Sequence, residues 1–180
     1  NRLWLCLGDS ITQGMDSHSP SCSYPALVGM QLDYDVLNMG VGGGMFDENN
    51  LDYIGREPEL ITVALGCNDW GKVADADELR KNVAAYLKKL TTLYDCRNIY
   101  GILPTWRSDE AMLRSGLTFA QARSIIQEEY SRYSYIKVID GMKLVPKLAR
   151  FFADPGDIKV HPNEEGFLFY SINLARVLKQ

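Results

Sequence analysis

Five short apolar runs, none of them alternating, place the strongest limit on what this chain can fold into. They are Leu3–Leu7, Asp35–Met39, Leu60–Leu65, Asn98–Leu103 and Ile136–Ile139. Runs this short and rich in Val, Ile and Leu suit strands buried on both faces, as in a parallel sheet covered by helices. Helical patterns separate them. From Asp77 to Tyr94 the apolar residues Leu79, Val83, Tyr86, Leu87, Leu90 and Leu93 recur at three- and four-residue steps, which is one face of a helix. Further helices are predicted over Tyr24–Leu32, Phe119–Tyr133 and Glu164–Leu178. Strand and helix alternate throughout, so the expected class is α/β: a doubly wound, three-layer α/β/α sandwich with right-handed crossovers.

At 180 residues the chain reads as one domain, residues 1–180, able to bury roughly 70% of its unfolded surface without a disulfide or metal. A hydrophobic content of 46% favours a globular domain over disorder, and no apolar run is long enough for a membrane span. The net charge of −4 argues against a nucleic-acid surface. Cys6, Cys22, Cys67 and Cys96 show no metal-like spacing and are expected reduced. No secretory leader is visible, which slightly favours the cytoplasm; a first residue of Asn1 leaves the compartment open.

The two longest irregular stretches, Gly40–Glu57 and Thr105–Thr118, follow strand ends, where open α/β sheets build their sites. Three strand ends carry polar and glycine clusters: Gly8-Asp9-Ser10, then Asn38-Met39-Gly40-Val41-Gly42-Gly43, then Gly66-Cys67-Asn68-Asp69. A fourth block, His161-Pro162, leads into the last helix. In a parallel sheet the first three share one edge, where a hydroxyl, glycine amides, a carboxamide and an imidazole can converge. A phosphate-binding loop is a poor rival: Met45 stands where the third glycine of GxGxxG belongs, and no GK[ST] follows. The GxSxG elbow of α/β-hydrolases is absent as well.

These four blocks, in this order, resemble the SGNH hydrolases, the GDSL esterase and lipase superfamily. GDS spans residues 8–10, NxGxxG 38–43, GxND 66–69 and HP 161–162, so the resemblance covers nearly the whole chain. It implies a flavodoxin-like sandwich around a five-stranded parallel sheet. It also implies a serine hydrolase acting on a small-molecule ester, with no metal or cofactor.

Ser10 is the candidate nucleophile, and a serine hydroxyl needs a base within hydrogen-bond reach. His161 is the candidate base; the other histidine, His18, lies in the polar run Asp16–Ser19, which reads as exposed loop. By resemblance the oxyanion donors are the Ser10 and Gly43 amides and the Asn68 side chain. Asp9 and Asp69 read as anchors of their loops. The chain departs from the family at the acid: three residues before His161 stands Ile158. Asp157 is the expected acid, through a local bulge; Asp154 and a backbone carbonyl are the alternatives. Trp70, Trp106, Met45, Phe46 and Tyr24 are candidates for the substrate pocket wall.

The expected activity is hydrolysis of carboxylic esters with short acyl groups, such as acetyl on carbohydrate. Lysophospholipase or thioesterase chemistry, and a non-catalytic binding module that keeps the fold, are the alternatives.

Overall fold

The computed structural model describes residues 2–179. Its main sheet contains β1 (Arg2–Gly8), β2 (Tyr34–Gly40), β3 (Leu60–Ala64), β4 (Ile99–Ile102) and, after a small hairpin, β7 (Ile136–Ile139). The order is β2-β1-β3-β4-β7 and every pairing is parallel. Four helices cover it: α2 (Tyr24–Leu32), α4 (Ala76–Leu93), α5 (Phe119–Ser131) and α6 (Glu164–Leu178). Two four-residue helices, α1 (Ser10–Gln13) and α3 (Asp69–Lys72), follow β1 and β3 directly.

The side chains of the inner strands β1, β3 and β4 alternate between two cores. Leu5, Leu7, Ile61, Val63 and Ile99 face α4 and α5, whereas Trp4, Cys6, Leu60, Tyr100 and Ile102 face α2 and α6. Both faces of these inner strands are therefore covered, which is why they read as unbroken apolar runs; β2 and β7 are edge strands, and the burial expected of Asp35–Met39 and of Lys137–Val138 is not met. The face predicted for α4 is the buried one: Leu79, Val83, Tyr86, Leu87 and Leu90 all lie inside. Truncating one of these to alanine costs about 2–5 kcal/mol. Helix starts are fixed locally. Asp75 accepts the Glu78 amide before α4, Thr118 and Gln121 form a capping box on α5, and Asn163 accepts the Gly166 amide before α6.

Strand limits agree with the expected runs within a residue, but Thr105–Thr118 is not wholly irregular. Leu113–Arg114 (β5) and Leu117–Thr118 (β6) pair as an antiparallel hairpin. Its turn residues, Ser115 (φ 51°) and Gly116 (φ 71°), are both left-handed, as a two-residue hairpin turn requires. All four cysteines are free thiols.

Strand order reverses at β1, so the connections leave the sheet in opposite directions there. That opens a crevice outside the carboxyl ends of β1 and β3. The β2–β3 crossover carries only one short 3-10 turn, Glu48–Asn50, where the other crossovers carry a helix. A cleft of about 750 Å³ lies beside it, bounded by Leu7, Met39, Gly43, Met45, Asn82 and Tyr86.

Candidate active site

β1 ends at Gly8, where no side chain fits: a Cβ would lie 2.0 Å from Thr12 Oγ1. Asp9 then caps α1, its Oδ1 accepting the Ile11 amide at 2.9 Å. Ser10 is the first residue of that helix and is largely buried. Its hydroxyl lies 2.9 Å from His161 Nε2. On the far side of the ring, His161 Nδ1 lies 2.7 Å from Asp154 Oδ1. The structure thus forms a continuous hydroxyl–imidazole–carboxylate chain.

The carboxylate in that chain corrects the expectation for Asp157. A bridge pairs Phe152 with Pro162, and the Ala153 amide donates to the His161 carbonyl at 2.9 Å. These contacts close a loop over residues 154–160 and set Asp154 opposite His161 across its base, seven residues apart in sequence. Asp154 Oδ2 accepts the Val160 and His161 amides, both at 2.7 Å, and Lys159 Nζ donates to the Asp154 carbonyl. Asp157 sits exposed near the tip, its carbonyl accepting from Ser108 Oγ (2.9 Å). Ile158, in the register position of the family's acid, is also exposed. Burial opposes ionisation of Asp154, but the two backbone amides and the imidazole outweigh it and hold the carboxyl below its ordinary range.

The other two blocks close over the same edge. Asn38 Oδ1 accepts the Gly40 amide (2.9 Å) and its Nδ2 donates to the Thr12 carbonyl (2.8 Å), tying the end of β2 to α1. The chain then turns through Gly43, whose φ of 76° is costly for any residue with a Cβ. Gly44 lies against the nucleophile's turn: a Cβ there would meet the Gly8 carbonyl at 3.1 Å and Asp9 Cα at 3.3 Å. Asn68 Nδ2 donates one hydrogen to the Gly44 carbonyl at 3.0 Å, which orients the amide and leaves its second N–H. Among the described residues the Ser10 and Gly43 amides meet no acceptor. Three donors of the required kind therefore border one turn.

Asp9 and Asp69 are the buried anchors expected of them. Asp69 Oδ1 accepts the Phe46 amide at 3.0 Å, fastening the glycine loop to α3. Burial pushes both carboxyls up to about 6. Sequence reasoning missed Arg107, a buried guanidinium that forks onto Asp109 (2.5 and 3.0 Å) and donates to the Cys67 carbonyl (3.2 Å), the residue before Asn68. Asp109 also pairs with Arg114, and both arginines lie over the Trp70 ring. Arg107, Asp109 and Arg114 lie close together in sequence, but what ties them to the site, the contacts with Cys67 and Trp70, joins distant segments and leaves no local signal.

The pocket-wall candidates separate by burial. Trp70 and Tyr24 are core residues with no exposed surface. The Trp70 indole N–H donates to the Leu117 carbonyl (2.9 Å); Tyr24 stacks on Tyr170 at 4.1 Å and bonds Thr12 through its hydroxyl. These two do not line a pocket, since an aromatic side chain with a polar tip is well satisfied inside when the tip finds a partner. Phe46 packs edge-on against Tyr86 and only borders the cleft, alongside the half-buried Met45. Trp106 is half-buried against Phe152.

One group among the described residues brings metal-capable atoms together: Asp16, Asp154 and His161, within 4.8 Å of one another. The short bonds within it read as an acid–imidazole array, with Asp154 already committed to three N–H groups.

The comparisons agree with this architecture. Solved structures share the fold at low identity. A member of the lipolytic protein G-D-S-L family from Veillonella parvula has a TM-score of 0.75 at 20% identity, covering 100% of both chains. The lipase/acylhydrolase from Enterococcus faecalis has 0.76 at 20%, covering 99% of this chain and 96% of that one. A family two carbohydrate esterase from Clostridium thermocellum, in complex with cellohexaose, has 0.73 at 16%, covering 99% and 64%. No curated protein sequence matches significantly. The sequence profile of one family, however, spans residues 6–167, from the strand before Ser10 to the helix after His161. By that match this chain belongs to the GDSL-like lipase/acylhydrolase family, the esterase- and lipase-like hydrolases of the SGNH group.

Proposed function

We propose that the chain is a serine esterase that works through an acyl-enzyme on Ser10. The reading rests on one observation, the chain from Ser10 Oγ through His161 to Asp154 with links of 2.9 and 2.7 Å. His161 Nε2 takes the hydroxyl proton as Ser10 Oγ attacks the ester carbonyl. The developing oxyanion is met by the Ser10 and Gly43 amides and the free N–H of Asn68, each such donor lowering the barrier by about 3–4 kcal/mol. The imidazolium returns its proton to the departing alcohol, and the Ser10 ester then yields to water by the same route. Asp154 holds the ring in the productive tautomer and stabilises its charged form.

The substrate proposed is a carboxylic ester with a short acyl group, such as acetyl on a carbohydrate. The cleft beside the glycine loop has Asn49, Asn50 and Asn82 among its lining residues, polar groups that suit a carbohydrate, but Ser10, His161 and Asn68 do not line it. A carbohydrate esterase among the structural neighbours is consistent with that substrate. A non-catalytic binding module that keeps the fold has no need of an aligned acid, so the 2.7 Å link between Asp154 and His161 favours the esterase reading over it.

A panel of p-nitrophenyl esters from acetyl to octanoyl, with acetylated sugars, tests the reading beside Ser10→Ala and fluorophosphonate labelling. The expected result is labelling and turnover abolished by Ser10→Ala, with the highest kcat/KM on acetyl. Rates that climb steadily to octanoyl would overturn the short-acyl assignment, and a fully active Ser10→Ala would overturn the mechanism.

A further inference from the structure

We propose that Asp16 is a second positioning carboxylate for His161, acting on the ring nitrogen that Asp154 already holds. The inference rests on the Ser10–His161 reading. Asp16 Oδ2 lies 3.7 Å from His161 Nδ1, and Asp154 Oδ1 lies 2.7 Å from the same atom. The longer distance is outside hydrogen-bond range, so Asp16 does not compete for the Nδ1 hydrogen. It acts through charge, on the end of the ring away from Ser10. When the Ser10 proton passes to Nε2, the imidazolium forms between the serine and two carboxylates rather than one. Asp9, buried and accepting the Ile11 amide, is a third acid whose charge reaches His161.

The placement of Asp16 is built into the nucleophile's own turn. The Ser10 carbonyl accepts the Gly14 amide at 3.1 Å and the Met15 amide at 2.9 Å. Gly14 closes α1 in the left-handed region, and Asp16 is left-handed too, with φ 65°. A non-glycine residue adopts that conformation at a cost, so surrounding contacts must hold it there. The Ser17 amide, donating to the Gly14 carbonyl at 3.1 Å, fixes the chain on the other side. Asp16 is therefore tied to Ser10, whereas Asp154 is tied to His161 through the backbone amides it accepts. The imidazole sits between a carboxylate carried by the nucleophile's segment and one carried by its own. Among the described residues Asp16 has no other ion-pair partner, and its side chain is 44% exposed against 16% for Asp154.

The arrangement makes a prediction about coupling that a merely structural loop residue would not share. With Asp154 in place, Asp16 is the more distant and more solvated charge and contributes modestly. With Asp154 neutralised, Asp16 is the nearest remaining carboxylate to Nδ1 and becomes the main orienting charge. Its loss then matters more.

The test measures kcat and KM on p-nitrophenyl acetate for the full chain carrying Asp16→Asn, Asp16→Glu, Asp154→Asn, and Asp16→Asn with Asp154→Asn. Thermal unfolding of each checks the fold. Asp16→Asn alone is expected to lower kcat about fivefold with KM within about twofold, and about thirtyfold in the Asp154→Asn background. Asp16→Glu is expected to recover at least half of the lost rate. High salt is expected to narrow the gap between wild type and Asp16→Asn, because the charge is half in solvent. The proposal is overturned if Asp16→Asn leaves kcat unchanged in both backgrounds, or lowers it by the same factor in both. Ser10→Ala separates the two readings: an inactive Ser10→Ala with a silent Asp16→Asn removes this inference alone, whereas an active Ser10→Ala removes both.

Discussion

Neutralising Asp154 while keeping its shape is the sharpest test of the site. The carboxylate meets three N–H groups at 2.7 Å: the His161 ring and the Val160 and His161 amides. Asp154→Asn offers one acceptor oxygen in place of two and turns an NH2 toward a donor, so one of those contacts becomes repulsive. The larger effect is on the charge formed during attack. With the charge centres roughly 4 Å apart and an effective dielectric of about 20, the attraction is about 4 kcal/mol. Side-chain exposures of 16% and 20% keep solvent screening of this pair small. Each 1.36 kcal/mol is tenfold in rate, so kcat is expected to fall about a thousandfold. Asp157→Asn, at an exposed loop position, is expected to stay within about twofold of wild type. The assay is steady-state hydrolysis of p-nitrophenyl acetate, with circular dichroism and a thermal midpoint to show that each variant is folded. An Asp154→Asn enzyme that keeps more than about a tenth of wild-type kcat refutes the reasoning, as does a large loss confined to Asp157→Asn.

Asn68→Ala is expected to lower kcat by about a hundredfold while KM changes little, since the donor engages the oxyanion more strongly than the ground-state carbonyl; an effect on KM alone would make Asn68 a ground-state contact. Asp69→Asn is expected to gain stability relative to wild type as pH rises. The folded carboxyl, pushed up to about 6 by burial, binds its proton more tightly than the unfolded one. Its stabilising contribution is full below about pH 4, is lost as pH rises through about 6, and amounts to about 3 kcal/mol for a shift of about two units. The difference in Tm between variant and wild type is therefore expected to grow by about 6–12 °C from pH 4 to pH 7; a difference independent of pH would show that Asp69 is not held in a raised state. Gly43→Ala is expected to cost more kcat than stability, because at φ 76° it strains an exposed loop whose amide is a proposed oxyanion donor; unchanged turnover would remove Gly43 from the site.

The sequence by itself determined the layers of this protein, and its resemblance to the SGNH hydrolases named Ser10, Gly43, Asn68 and His161 as candidates for the site. Unbroken apolar runs such as Leu3–Leu7 demand cover on both faces, and helical periodicity such as that from Leu79 to Leu90 names the face that provides it. Both signals are local, because a strand or helix repeats its own burial pattern every two or 3.6 residues. These candidates were legible because the motif blocks that resemble the family each stand beside a strand end or helix start, and the resemblance supplied their roles. What only the tertiary structure decided was contact between segments with no shared period. Asp154 meets His161 because the Phe152–Pro162 bridge folds residues 154–160 into a closed loop, and spacing along the chain carries no trace of that closure. Trp70 and Tyr24 read as pocket walls until Leu117 and Thr12 supplied partners for their polar tips and allowed full burial. Asp16, in a run that reads as solvated loop, lies beside the imidazole because the Ser10 carbonyl binds the turn that carries it. Side-chain polarity is written in the sequence. Which polar groups meet is set by how loops close at the edge of the sheet.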